Sequence, residues 1–198
     1  MSFLESALRR LCADLLAARI KFALVGGLAV SVRTEPRFTR DADLAVALRD
    51  DEQAEALVCD LQQKGYTIVA TVEQEAVERL ATARLQPPLG ARTGVLLDLL
   101  FASSGIEDEI VNEAEPLEVL PELTIPVART GHLIALKILS RDDETRPQDI
   151  VDLRALSKKA PREEIERARK ALKLIESRGF HRGRPLLKML EEFRKNRS

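Results

Sequence analysis

A short apolar run that stops at two glycines, Phe22-Ala23-Leu24-Val25-Gly26-Gly27, constrains this chain more than any other stretch. Four apolar residues ending at a glycine pair read as a buried strand entering a tight turn. Glycine permits positive φ and close approach of backbone to a ligand. Residues 28–32 then carry apolar side chains at helical spacing, so the glycines stand at a helix N-terminus. Free N–H groups and a positive dipole end suit phosphate there. Asp41 and Asp43 follow on an expected strand over residues 41–47. Alternation puts i and i+2 on one face, so both carboxylates point the same way while Ala42 and Leu44 point into the fold. Neighbouring carboxylates repel, and a cation between them relieves this. Mg²⁺ is typically held by one or two carboxylates plus substrate phosphates. A phosphate-binding turn beside such a pair points to phosphoryl chemistry on a nucleotide.

The rest of the chain supplies a frame for these elements. Leu4, Leu8, Leu11 and Leu15 recur at helical spacing and predict a helix over 3–18. A second helix is expected over 50–64, capped by Asp50 or Asp51 and closed by Gly65. Strands are expected over 66–70 and 80–85, with a turn at Pro87, Pro88 and Gly90. Residues 94–101 form an apolar strand interrupted by Asp98, and a lone buried carboxylate is costly unless paired or metal-bound. Residues 105–115 read as an acidic surface helix. The proline-bearing pieces 116–120 and 125–127 suit a sheet edge. Thr130 is expected to cap a helix running to about 140. Lys137 lies in that helix, and spacing alone reads it as a snorkelling lysine. After a charged loop over 141–146, Pro147 opens a further helix. Asp149 and Asp152 share one face of it and call for a cation, which Lys137, Arg141 or Arg146 could supply. Two last helices are expected over 161–178 and 185–194.

At 198 residues the chain suits one large domain or two small ones. No run approaches the ~18 apolar residues of a membrane span, and the N-terminus lacks a basic-then-apolar signal pattern. Cys12 and Cys59 suggest neither zinc nor a disulfide framework, so a reducing cytoplasm is the expected compartment. His132 and His181 are isolated. Charge is uneven: residues 1–153 hold 16 Lys and Arg against 26 Asp and Glu, a net of −10, and residues 154–198 hold 15 against 6, a net of +9. Such asymmetry fits nucleic acid or another acidic partner, or else basic helices pairing with the acidic half. Outward-facing Lys170, Lys173, Arg182, Arg184 and Lys188 would supply the positive surface.

The spacing of Gly26-Gly27, thirteen further residues and Asp41-Ala42-Asp43 resembles the nucleotidyltransferase signature of the polymerase-beta superfamily. Thr39, two residues before the first aspartate, resembles the AbiEii/AbiGii toxin branch, which includes the MenT toxins. That branch implies a third carboxylate on a later strand, matched by Asp98. It also implies a Lys, then Arg residues, then an Asp pair, matched in order by Lys137, Arg141, Arg146, Asp149 and Asp152. The resemblance spans roughly residues 20–155. One departure is Gly27, where many superfamily members have Ser. Triphosphate contacts would then fall to backbone N–H groups or to Ser31. Arg37 and Arg40 flank the loop before Asp41 and would either meet a triphosphate or balance the aspartates. For Arg40 alternation favours the second.

The resemblance implies an α/β (α+β) fold, a mixed sheet flanked by helices. A nucleotidyltransferase core would occupy 1–128, and a helical part, 129–198, would complete the active site. It implies transfer of a nucleoside monophosphate from an NTP to an acceptor hydroxyl. Asp41, Asp43 and Asp98 would be metal ligands, for Mg²⁺ or alternatively Mn²⁺, with Asp98 helping a second metal or else acting as base on the acceptor hydroxyl. Lys137 and Asp152 would join the catalytic set. Gly26, Gly27, Ser31, Arg37, Thr39, Arg141, Arg146 and Asp149 would contact or position the nucleotide. It further implies a toxin with a cognate antitoxin protein and a tRNA 3′ end or other RNA as acceptor. Two rivals remain: transfer to a small molecule such as an antibiotic, and an inactive protein that binds nucleotide or antitoxin.

Overall fold

In the computed structural model, β1 (Phe22–Val25) runs antiparallel to β2 (Asp41–Val46), with Val25 opposite Asp43, so the glycine turn is delivered beside the aspartates. The structure describes residues 2–36, 39–74, 78–88, 94–142 and 147–195. Arg37, Arg146 and the expected turn at Gly90 lie outside them. On its other side β2 pairs in parallel with β5 (Leu96–Leu100), which places Asp43 opposite Asp98. Beyond β5 lie β4 (Arg79–Gln86) and β3 (Thr67–Gln74), both antiparallel. Beyond β1 lie β7 (Leu123–Val127) and β6 (Glu115–Leu120). The seven-stranded mixed sheet has the order β3-β4-β5-β2-β1-β7-β6. The proline-bearing strands divide. β6 is an edge, but β7 is interior, and its proline is tolerated because registered pairing with β1 is confined to Val127 opposite Leu24.

The helices follow the apolar periodicity. Leu8, Leu11 and Leu15 of α1 (Phe3–Ala17) are fully buried, each contributing ~1.5–3 kcal/mol of transfer energy. The α2 helix (Gly26–Arg33) starts directly at the glycines and touches both β1 and β2. In α3 (Asp51–Gln63), Asp50 caps the first turn by accepting from the Gln53 N–H at 3.0 Å. The expected acidic surface helix shrinks to α4 (Glu107–Asn112), because residue 115 onward joins the sheet. Glu107 is not on the surface: it is buried and accepts from the Ser103 and Ser104 N–H groups and the Ser104 hydroxyl. Burial pushes its carboxyl up, and the Ser104 hydrogen bonds oppose this.

The elements after β7 are all helical: α5 (Thr130–Ser140), α6 (Pro147–Lys159), α7 (Arg162–Ser177) and α8 (Leu186–Lys195). They pack on one another, and α2 touches α5 and α6, joining them to the sheet. Thr130 does not cap α5. The buried Glu164 of α7 instead accepts from the Gly131 N–H at 2.6 Å. A Cβ at Gly131 would stand 2.4 Å from the Glu164 carbonyl oxygen, so the α5–α7 crossing needs glycine there. Glu164 thus fixes, through its side chain and its backbone, the start of the helix that carries Lys137.

His132, on the next position, is buried, and its Nδ1 has no hydrogen-bond partner among the described residues. Burial lowers its pKa from 6.5 to about 4, with Glu113 and Glu109 opposing, and Arg167 and Arg129 reinforcing, that shift. A neutral folded histidine contributes stability that is full above the unfolded pKa of 6.5 and is lost as pH falls towards 4. His132→Leu should flatten the acid limb of the stability profile over that window, by on the order of 1–3 kcal/mol in urea melts at pH 4.5 relative to pH 7.

Candidate active site

Gly26 has φ +65°, a left-handed conformation, and its missing side chain is filled by Asp43. A Cβ there would lie 1.9 Å from the Asp43 Oδ2. The turn and the aspartate pair, separate in sequence, are therefore one packed unit. Val25 precedes α2 with no side-chain cap, and Val25, Gly26 and Gly27 at the start of the helix line the cleft. Ser31 is one turn along. Its hydroxyl donates to the Gly27 carbonyl at 3.1 Å, and it does not line the cleft. Of the two groups expected to face phosphate at this turn, Gly26 and Gly27 line the cleft and Ser31 does not. Thr39 lines the cleft and donates to the Asp41 carbonyl at 3.1 Å, stabilising the loop before β2.

The cleft is about 680 Å³ and brings together Gly26, Gly27, Thr39, Asp41, Asp43, Asp98, Lys137 and Asp149. Asp43 is pushed up to about 6, first by burial and then by the Asp98 charge, with Lys137 pulling down, Asp41 pushing up and Arg84 pulling down. The crowding expected from the Asp41/Asp43 alternation is thus present and is sharpened by Asp98 across the strand pair. The oxygen donors suit a hard cation such as Mg²⁺, which needs one or two carboxylates besides phosphate. Among the described residues no group of three His, Cys, Asp or Glu stands ready to hold a metal ion. Arg84 of β4, the register partner of Asp98, donates to both oxygens of that carboxylate, Nε at 2.8 Å and Nη2 at 2.7 Å. The pair holds Arg84 still more firmly charged. Sequence reasoning misses Arg84. Its signal is there in Ala81, Ala83 and Leu85, whose burial turns residues 82 and 84 to the opposite face.

Lys137 does not snorkel. Its ammonium lies between two buried carboxylates, Asp149 Oδ1 at 2.7 Å and Asp152 Oδ2 at 2.8 Å. Asp149 also accepts from the Ser140 hydroxyl at 3.0 Å, and Asp152 from Gln148 at 3.0 Å. Among the described residues, Lys137 is thus a cation that meets both members of the i, i+3 pair, across the α5–α6 junction. Asp149 lines the cleft, whereas Asp152 lies behind it. Arg141 does not line the cleft; its carbonyl accepts from Arg184.

The basic turn between α7 and α8 is used differently from the expected open surface. Arg178 donates to the Gly105 carbonyl and pairs with Glu109. Arg182 lines the cleft and donates to the Ser103 carbonyl, while Arg184 donates to the Leu139 and Arg141 carbonyls at the end of α5. These arginines tie the loop after β5 to the end of α5. Lys170, Lys173 and Lys188 remain exposed.

A mixed sheet carrying paired aspartates beside a glycine turn at a helix N-terminus defines a nucleotidyltransferase. The sequence matches the family described as nucleotidyl transferase AbiEii toxin, Type IV TA system, over residues 7–198, and the chain belongs to it. A comparison with curated protein sequences finds no match. Among solved structures the fold is similar to an antigenic nucleotidyltransferase-like protein from Paracoccidioides brasiliensis, with a TM-score of 0.54 and 20% identity over 95% of this chain and 92% of that one. It is also similar to the lincosamide antibiotic adenylyltransferase LnuA in its lincomycin-bound form, with a TM-score of 0.52 and 14% identity over 81% of this chain and 100% of that one. The chain is an NTP-dependent nucleotidyltransferase.

Gly26→Ala should combine positive-φ strain with a clash against Asp43, costing roughly 1–3 kcal/mol in urea melts together with the transfer activity. Lys137→Ala strands two buried carboxylates and should cost roughly 3–5 kcal/mol. Adding Asp149→Asn and Asp152→Asn should recover most of that stability without restoring transfer.

Proposed function

We propose that this chain moves a nucleoside monophosphate from an NTP to a hydroxyl at an RNA 3′ end, tRNA being the foremost acceptor, with Mg²⁺ bound at Asp41 and Asp43. The observation that carries the reading is the packing of Gly26 against Asp43, which sets a phosphate-binding helix start directly beside a crowded carboxylate pair. The N–H groups at Gly26 and Gly27 would bind the triphosphate and fix its orientation. Asp41 and Asp43 would hold Mg²⁺, or Mn²⁺ in its place. When bound, the cation neutralises phosphate charge and favours departure of pyrophosphate. Lys137, oriented by Asp149 and Asp152, would present a fixed positive charge to the phosphates. Asp98 stands next to Asp43 to take the proton of the acceptor hydroxyl or to complete the carboxylate set for a second cation. Membership of the AbiEii toxin family supports a role as the toxin of a toxin–antitoxin system, and the cytoplasm and a cognate antitoxin protein are the compartment and partner we assign to it.

RNA is favoured as acceptor by charge. The acidic first part of the chain would repel a polyanion everywhere except at the cation site, whereas residues 154–198 carry a net +9. A small-molecule acceptor is the second reading. It draws support from the apolar side chains Ala70, Val72, Leu100, Leu133 and Leu136 around the cleft and from the fold shared with a lincosamide adenylyltransferase.

Incubation with each labelled NTP, Mg²⁺ and total tRNA should label RNA, and Asp41→Asn or Asp43→Asn should abolish labelling while the protein stays folded. Full turnover in either variant would remove the carboxylates from the chemistry. Replacing Lys170, Lys173 and Lys188 with Gln should raise KM for RNA. The log–log salt slope should flatten by about 0.7–0.9 for each phosphate that these lysines no longer neutralise. Affinity for NTP should hardly change. An unchanged RNA slope would favour the small-molecule acceptor.

A further inference from the structure

Asp98 stands beside Asp43 but is already engaged. Both of its oxygens are taken by Arg84, from the neighbouring strand, in a fork-to-fork pair. Such charge-assisted bidentate pairs are among the strongest hydrogen bonds in proteins. The two partners differ in freedom. The Asp98 side chain is 9% exposed, whereas Arg84 is 45% exposed and reaches in from the cleft wall on a long flexible stem. Arg84 also lies within the field of Asp41 and Asp43, so one guanidinium balances three carboxylates from the β4 side. Lys137, the lysine of the cleft, cannot substitute for it, because its ammonium is held between Asp149 and Asp152.

A guanidinium matches phosphate as well as it matches carboxylate. A nucleotide entering this cleft therefore brings a competitor for Arg84. We propose that Arg84 is a positioning residue that keeps Asp98 closed to divalent cations in the nucleotide-free protein and releases it when a triphosphate offers phosphate oxygens to the guanidinium in exchange. This rests on the reading that Asp41 and Asp43 hold a cation beside a nucleotide. In the nucleotide-free protein those two carboxylates alone bind the cation, and Asp98 becomes available only once the triphosphate is in place. No bond to carbon, oxygen or phosphorus changes in this exchange; it is a swap of ion partners.

Mn²⁺ binding, read from the EPR signal of the free ion without nucleotide, tests the proposal. R84Q should bind Mn²⁺ about tenfold more tightly than the unmodified protein, the size of effect expected when one adjacent positive charge is removed. The gain should vanish in R84Q/D98N, and R84K, which keeps the charge without the fork, should fall between. Affinity for a non-hydrolysable NTP should drop about tenfold in R84Q, as loss of a phosphate-binding charge predicts. Thermal melts guard against a purely structural effect: R84Q should lose stability in EDTA and gain more from Mn²⁺ than the unmodified protein does. Unchanged Mn²⁺ affinity in R84Q, a gain that survives in R84Q/D98N, or a stability loss that Mn²⁺ does not recover would each overturn the proposal. If the unmodified protein binds no Mn²⁺ even with the NTP analogue, the cation site at Asp41 and Asp43 fails. Normal binding there with an indifferent R84Q would sink only the role of Arg84.

Discussion

Repulsion among Asp41, Asp43 and Asp98 is the constraint that the rest of the cleft is built to contain. Parallel pairing of β2 with β5 sets Asp43 directly opposite Asp98, and burial removes the water that would screen them. The result is visible in Asp43, pushed up to about 6. Two cations answer from opposite sides, Arg84 from β4 and Lys137 from α5. Strand register brings Arg84 to Asp98, and two buried aspartates hold Lys137. A sheet that carries this much negative charge on one face can be stable because its opposite face, Ala42, Leu44 and Val46, is buried.

The helical part is the second half of that solution. Lys137 can face the aspartates only if α5 lies at a fixed depth and rotation. Its N-terminal end is set by Glu164 and by the backbone contact that Gly131 permits. Its C-terminal end is set by Arg184, donating to the Leu139 and Arg141 carbonyls. The side of α6 that meets α5 supplies Asp149 and Asp152. Of the charges that a count assigns to solvation or to a polyanion, Arg184 thus holds this helix, while Arg178 and Arg182 bond the segment after β5.

Much of this is legible in the chain itself. The strand–glycine–helix stretch from Phe22 to Arg33, the strand at Asp41, the Asp50 cap and the apolar strand around Asp98 all rest on local rules, and they stand close to their expected bounds. The departures are long-range. Residue 115 reads as helical because its acidic run continues that of α4, but pairing with Val127 draws it into β6. Thr130 reads as a cap, yet the capping acceptor comes from Glu164, far along the chain on α7. Glu107 reads as surface because it sits in an acidic run, yet the backbone N–H groups of Ser103 and Ser104 hold it in the interior.

The sequence by itself determined the periodic elements, the side of β2 on which its two aspartates lie, and the need for a cation near Asp149 and Asp152. Those follow from spacing, since alternation and the 3.6-residue helical repeat are properties of the local backbone. Only the tertiary structure decided which cation answers which acid. Lys137 meets both α6 aspartates, Arg84 takes Asp98, and Asp43 fills the side-chain space that Gly26 leaves open. Such pairings depend on strand order and helix crossing, which bring together groups many residues apart. An ion pair between them is settled by distances of a few ångströms that no local pattern encodes.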